Sequence, residues 1–399
     1  MIYVGADWDS EKCVIAYEKD GREHGGTVMR HPDAVRAFMD EWRGEGVFVA
    51  IESGDRLWAR LWANAGAEVA VFDAKKANRY AASLCSSGAS DDKRSAESLR
   101  LMAMSHAHRS QANAAVDGAI GSLSRLLDLV HLASTAVVNA TNRLTAHLRQ
   151  LHPALAGVVG RSITATWCLR VLEAAPTPVA WNELDDARRA ELLKGSSRAK
   201  REEFMRAFGE DWGAFDPAEE PSVRLHLSIL ASTLSSALQT QRRVKKALED
   251  STAAMAQDQE PVRQMAGIGS FLSSAVAVGL HGADGRDDLA IALGAAPVTR
   301  RSGVTGDRRQ HASMRRAARP VMKKASHLIG FQLVGHYRTA KAQYAYYRSR
   351  GISANGAYRR ITRSFSRVFT AMQRDNIPFD EDRYISALKA KAVVWVRDL

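Results

Sequence analysis

The sequence predicts an α/β domain followed by a long all-α remainder, and three observations carry that expectation. The first hundred or so residues alternate β-rich runs with helix-patterned ones. From about Gln111 the pattern turns helical and stays so, with apolar residues returning every seven positions. The chain is basic, with 56 Lys and Arg against 44 Asp and Glu in 399 residues, and the excess is confined to one C-terminal stretch.

Each element can be justified in order. Residues 2–7 (IYVGAD) and 12–17 (KCVIAY) are short β-rich runs, and a brief strand signal follows at 27–29. Asp33 caps a helix pattern over 33–43. A continuous apolar run at 47–51 reads as a buried strand ending at Glu52. A helix pattern over 56–65 stops at Gly66, and 69–72 is the last strand signal. Three strands, a helix, a strand, a helix and a strand is the order of an RNase H-like domain, placed at 1–112.

Leu123, Val130, Val137, Leu144 and Leu151 then form a heptad seam that ends before Pro153. Leu227, Leu230, Leu234, Ala237, Val244 and Leu248 form a second. Two seams around a Trp-containing stretch predict an antiparallel arm or a dimerising coiled coil over 113–260, and an intramolecular bundle satisfies the same pattern. Residues 261–399 form a third, mainly helical region.

Composition narrows the function classes. With 46% hydrophobic and 25% charged residues the chain is a globular protein rather than a disordered one. No apolar run reaches bilayer length, and the first residues carry acids where a secretory signal carries a basic segment, so a cytoplasmic protein with no membrane partner is expected. Cys13, Cys85 and Cys168 are too scattered for a disulfide framework or a zinc knuckle. Residues 308–374 hold sixteen Lys or Arg and no acid, leaving a net of −4 elsewhere. Thirteen of the sixteen are Arg, whose planar fork suits phosphate, so nucleic acid is the expected partner. Candidates for phosphate contact are Arg300, Arg301, Arg308, Arg309, Arg315, Arg316, Arg319, Lys323, Arg338, Lys341, Arg348 and Arg350.

Two groups of residues could carry chemistry. Asp7 and Glu52 each end a strand, and in an RNase H-like sheet those strands are neighbours, so their carboxylates converge. Asp91 and Asp92 open a later helix that can add a further acid. Converging carboxylates suit a hard cation such as Mg2+, which stabilises the attacking and leaving oxygens of a phosphodiester. Ser302, in Arg300-Arg301-Ser302-Gly303, is a nucleophile candidate if the flanking guanidinium groups hold a phosphate against it. A phosphate-binding turn is the plainer reading. Gly267-Ile268-Gly269 could hold a DNA phosphate or form a simple helix–helix turn. Tyr337, Tyr344, Tyr346 and Tyr347 lie among cations, as stacking residues or as a core face.

Asp7 in VGADWDSEK, Glu52 in VAIESGDRLW, Asp92 in SGASDDKRSAESL, the turn at Gly267 and LGAAPVTRRSG ending at Ser302-Gly303 occur in one order. That order resembles the DEDD insertion-sequence transposases of the IS-one-ten group, which include Piv-type invertases and bridge-RNA-guided recombinases. The resemblance runs over most of the chain. It implies a RuvC-like domain in which Asp7, Glu52 and Asp92 bind Mg2+, with Ser302 as the nucleophile that becomes linked to DNA. It also implies a homodimer that assembles to a tetramer on a guide (bridge) RNA and DNA. In the family's pattern a fourth Asp follows the third by three residues, and here that position is Ser95. A neutral hydroxyl reaches a metal-bound water but cannot hold a second cation with full charge. Asp91 and Glu97 are the nearby acids that could compensate. Two other functions fit the same residues: a metal-dependent nuclease with no covalent serine step, and a catalytically weakened RNA- and DNA-binding homologue.

Overall fold

A computed structural model describes residues 1–19, 21–52, 56–72, 74–84, 91–106, 118–160, 162–209, 217–255, 261–281, 287–300, 311–314, 318–397 and 399. The chain divides into two compact units, Met1–Arg125 with Ser251–Leu399, and Leu126–Asp250.

In the first unit, β1 (Ile2–Trp8), β2 (Lys12–Lys19), β3 (Arg22–Met29), β4 (Val47–Glu52) and β5 (Glu68–Phe72) form a sheet in the order β3-β2-β1-β4-β5. β1 pairs antiparallel with β2 and parallel with β4, and β4 is parallel to β5. β1 and β4 are therefore neighbours, as expected from the sequence. The signal at 27–29 proves to be the end of a full strand, because β3 pairs along all of β2 and its side chains are mostly exposed and polar. An edge strand with little to bury leaves little hydrophobic pattern to read. Asp9 closes the β1–β2 turn, its carboxylate accepting from the N–H groups of Glu11 (2.6 Å) and Lys12 (2.8 Å).

The two faces of the sheet have different cores. Val4, Ala6, Val47, Val49 and Ile51 pack against Val35 and Phe38 of α1 (Pro32–Asp40) and against Trp58 and Trp62 of α2 (Arg56–Asn64). α1 stops at Asp40, short of the expected 43, and Trp42 beyond it folds back into this core. On the other face, Phe48, Ala50 and Ala70 pack against Ala77 of α3 (Ala74–Leu84) and Leu99 and Ala103 of α4 (Asp92–His106). The alternation follows from the strand period of two.

The second unit contains most of α5 (Gly118–Leu151) and α11 (Glu220–Ala254) and the short helices α6 (Pro153–Val159), α7 (Thr166–Ala174), α8 (Pro178–Asn182), α9 (Asp186–Leu192) and α10 (Arg198–Gly209). Gln241 donates to Ser134 at 3.2 Å, and His147 stacks near His226 at 4.4 Å between ring centroids. As one number rises the other falls, so α5 and α11 run antiparallel. The two predicted seams thus meet within one chain: Leu144, Leu148, Leu227 and Leu234 share a core with Trp167, Trp181, Phe204 and Phe208.

The rest of the first unit comprises α12 (Ser270–Leu280), α13 (Asp288–Ala292), the two-stranded ribbon β6 (Pro297–Arg300) with β7 (His311–Met314), α14 (Pro320–His336), α15 (Arg338–Ser349), α16 (Ala354–Asp375) and α17 (Glu381–Ala390). α14 and α16 touch at Gly330, where a Cβ would lie 2.5 Å from the Tyr358 carbonyl oxygen. Among the described residues no helix is long and apolar enough to cross a membrane.

Candidate acid site and cationic surface

The acid site begins with a register. β1 pairs with β4 at a constant offset, Gly5 opposite Ala50 and Ala6 opposite Ile51, so the next positions along the two strands are Asp7 and Glu52. Neighbouring residues in register project to the same face. That face is the one covered by α4, because a Cβ on Gly5 would lie 1.9 Å from the Ala96 carbonyl oxygen and 2.4 Å from the Arg100 nitrogen. Glycine is required there for the helix to rest on the strand. With Ala96 over Gly5, the first turn of α4 brings Asp92 and Ser95 over Asp7.

The electrostatics record this convergence. Burial together with the charges of Asp92 and Glu52 pushes the Asp7 carboxyl up to about 6, although the Ser95 hydroxyl and the Trp8 N–H donate to it. Trp8 also donates its indole N–H to the Glu52 carbonyl at 3.0 Å, and Trp58 donates to the Asp9 carbonyl at 3.1 Å. The first bond ties the ends of β1 and β4 together, and the second ties α2 to the residue after β1.

The two acids that could compensate for Ser95 are used elsewhere. Asp91 caps α4, accepting from the Arg94 N–H at 2.8 Å. Glu97 faces Arg100, whose guanidinium lies 2.6 Å from it, 3.0 Å from Glu18 on β2 and 3.2 Å from Glu23 on β3. Arg100 is 2% exposed, so it pins α4 to the β2–β3 hairpin and sets the position of the helix over the sheet. Oxygen donors, mutual repulsion and a raised carboxyl suit a divalent cation, and Asp7, Glu52 and Asp92 with Ser95 are the groups that would hold it. Among the described residues, however, no three acid, histidine or cysteine side chains are grouped closely enough to hold one ion. The donor chemistry fits, and the donor count at one point does not.

The basic stretch divides into engaged and open cations. Arg319 donates to the Ser124 hydroxyl (2.8 Å) and carbonyl (3.1 Å). Arg338 pairs with Glu381 and Asp382, at 3.4 and 2.5 Å. Lys323 is half-buried. Asp287, outside the stretch, pairs with Arg367 at 2.9 Å and Arg363 at 3.8 Å. Lys341, Arg348 and Arg350 are exposed, with Arg348 donating to the Ile352 carbonyl across the α15–α16 turn and Arg350 lying 6.0 Å from the Tyr346 ring. Arg301, Ser302, Arg308, Arg309, Arg315 and Arg316 lie outside the described residues, and Arg300 is described in backbone only.

The remaining sequence candidates resolve by contact. Tyr337 packs against Phe379 and Phe365 with its hydroxyl accepting the Ala266 N–H, so it belongs to the core. The Gly267 turn is closed by that bond, by the Ile268 N–H donating to Met265 and by His336, which a Cβ on Gly267 would meet at 2.6 Å. The turn reads as a helix connection with φ +81° at Gly267. Gly5, Trp8, Trp58 and Arg100 escaped the sequence reading. Two carried a signal: a glycine inside a buried strand pattern, and an arginine between apolar Leu99 and Leu101 on a helix.

No family model matches the chain. It is 27% identical over 344 residues to the "Insertion element IS110 uncharacterized 43.6 kDa protein" of Streptomyces coelicolor, covering 82% of this chain and 81% of that one. It is also 27% identical over 201 residues to the "Putative transposase y4uE" of Sinorhizobium fredii, covering 48% of this chain and 56% of that one. The matched region thus spans little more than half of the second relative's length. One of these relatives is named as a putative transposase and the other as an uncharacterized insertion-element protein.

Proposed function

We propose that this protein is a DNA transposase or recombinase that cuts and rejoins DNA strands. The observation that carries the reading is the convergence of Asp7, Glu52, Asp92 and Ser95 at one end of the sheet, where burial and the neighbouring negative charges hold Asp7 at about 6. The acid-free basic stretch at 308–374 and the two transposon-derived relatives support it further.

In this reading the N-terminal domain is RuvC-like, and Asp7, Glu52 and Asp92 would hold Mg2+, with Ser95 orienting the Asp7 carboxylate. A bound cation would supply charge stabilisation at the phosphodiester oxygens. Ser302 attacks phosphorus: its Oγ–P bond forms as one P–O ester bond breaks, and the proton lost by the serine hydroxyl ends on the departing oxygen. Arg300 and Arg301 neutralise the phosphate beside it. Structured bridge RNA selects the DNA, and homodimers assemble to a tetramer. The protein works in the cytoplasm.

The test is a strand-exchange assay with RNA that copurifies with the protein. Loss of activity and of a denaturation-resistant protein–DNA adduct in Ser302→Ala supports the serine step. Mg2+-dependent cleavage with no adduct supports the metal-dependent nuclease instead. Ser95 at the position of the fourth acid favours the weakened binding homologue as the second reading. It expects salt-dependent nucleic-acid binding with no cleavage.

A further inference from the structure

Four aromatic side chains from three helices form a group in which the sequence had singled out only Tyr344. Where α14 and α16 meet at Gly330, the half-buried Tyr358 ring lies edge-on to His327, at 5.3 Å and 87°, and to Phe331, at 5.9 Å and 77°. Tyr344 lies nearly parallel to Tyr358 at 5.2 Å and 19°. Phe331 is 52% exposed and His327 is exposed, a position that costs hydration and contributes little to the core. Lys324, His327 and Phe331 follow one another at helical spacing on an exposed face of α14. Arg348 bears on the Tyr358 hydroxyl, and Lys341 and Arg350 are exposed on or just after the same helix, α15. Between 308 and 374 no acid opposes these cations.

We propose that His327, Phe331, Tyr344 and Tyr358 form a stacking platform for unpaired nucleotides, with Arg348 and Arg350 taking the adjoining phosphates. The inference rests on the nucleic-acid reading above and narrows it to single-stranded or looped segments. A duplex hides its base faces in its own stack and offers phosphates and groove edges, for which cations suffice. Exposed rings add affinity only where base faces are free. The aromatic geometry therefore discriminates between partners that the charge alone treats alike.

The test measures fluorescence anisotropy of the full-length protein with a short thymidine oligonucleotide, its uridine equivalent and a duplex of equal length, each across a salt series. Phe331→Ala and Tyr344→Ala are expected to weaken single-strand binding about tenfold each, with duplex binding and salt slope unchanged. Phe331→Trp is expected to keep single-strand affinity, which separates stacking from a loss of fold. A larger loss with uridine than thymidine identifies RNA as the source of the unpaired bases, and the reverse identifies DNA. Equal losses on single strand and duplex, no loss on either, or failure of Phe331→Trp to retain affinity overturns the platform. A wild-type protein that binds duplex normally while the variants change nothing overturns only the platform. Failure to bind any of the probes overturns the nucleic-acid reading itself.

Discussion

The two ends of one contact, α4 against the sheet, handle charge in opposite ways. At Arg100 a buried cation faces Glu97, Glu18 and Glu23, so opposite charges are matched at 2.6–3.2 Å. Two turns earlier, Asp92 and Glu52 gather like charge around Asp7, and burial together with those charges makes Asp7 hold its proton up to about 6. A fold selected for stability alone has no use for the second arrangement. The matched end fixes the helix, and the helix imposes the unmatched end. Misfit charge held in place by a well-fitted neighbour marks this end of the sheet as a candidate functional site.

That contrast can be broken at its hinge. Gly5→Val places a side chain where the Ala96 carbonyl lies, so α4 must lift from β1. The expected destabilisation exceeds about 3 kcal/mol. Thermal unfolding measures it, and a variant as stable as the parent would show that α4 does not rest on Gly5. Arg100→Ala removes the matched end and leaves a cavity, at a cost of roughly 2–4 kcal/mol in urea unfolding. Its three carboxylates are partly exposed and can rehydrate, which keeps the figure below that of a fully buried pair.

Smaller changes sharpen the unmatched end. Asp7 has a folded pKa above its unfolded value of 3.8, so its ionisation costs stability as pH rises, and the full cost is present above about 6. Asp7→Asn removes that cost. Without divalent metal the variant is expected to be more stable by on the order of 1–2 kcal/mol at pH 8, with the gain fading below about pH 4. A gain of equal size at both pH values would locate its cause outside the carboxylate. Ser95→Asp adds a fourth like charge and removes a donor to Asp7. It is expected to lower metal-free stability by less than about 1 kcal/mol and to raise the midpoint on adding Mg2+ more than in the parent. An unchanged response to Mg2+ would remove Ser95 from the cation site.

How much of this was legible in the sequence depends on the residue. The β1–β4 pairing and the convergence of Asp7 with Glu52 followed from the RNase H-like order of apolar runs ending in acids, because a strand buried on both faces shows as a continuous apolar run. β3 was truncated because its exposed polar face carries no such pattern. The heptads of α5 and α11 were legible as seams, while their partner was not, since a seam specifies an apolar surface and not whose it is. Arg100 and Gly5 act through tertiary proximity, which spacing along the chain does not encode. Phe331 looked like any apolar helix residue, and only the crossing at Gly330 sets it beside Tyr358. Ser302 remains legible through sequence alone, because it lies outside the described residues.

The indole of Trp8 is bonded to the Glu52 carbonyl, one residue from Asp7. That tie makes the acid end an optical reporter. An indole emits according to the field across its ring, and neutralising the carboxylates around Asp7 changes that field abruptly. Titrating Mg2+ while following tryptophan emission therefore tests for a cation at this end, with Trp8→Phe removing this one indole of the eight from the signal, and needs neither nucleic acid nor turnover.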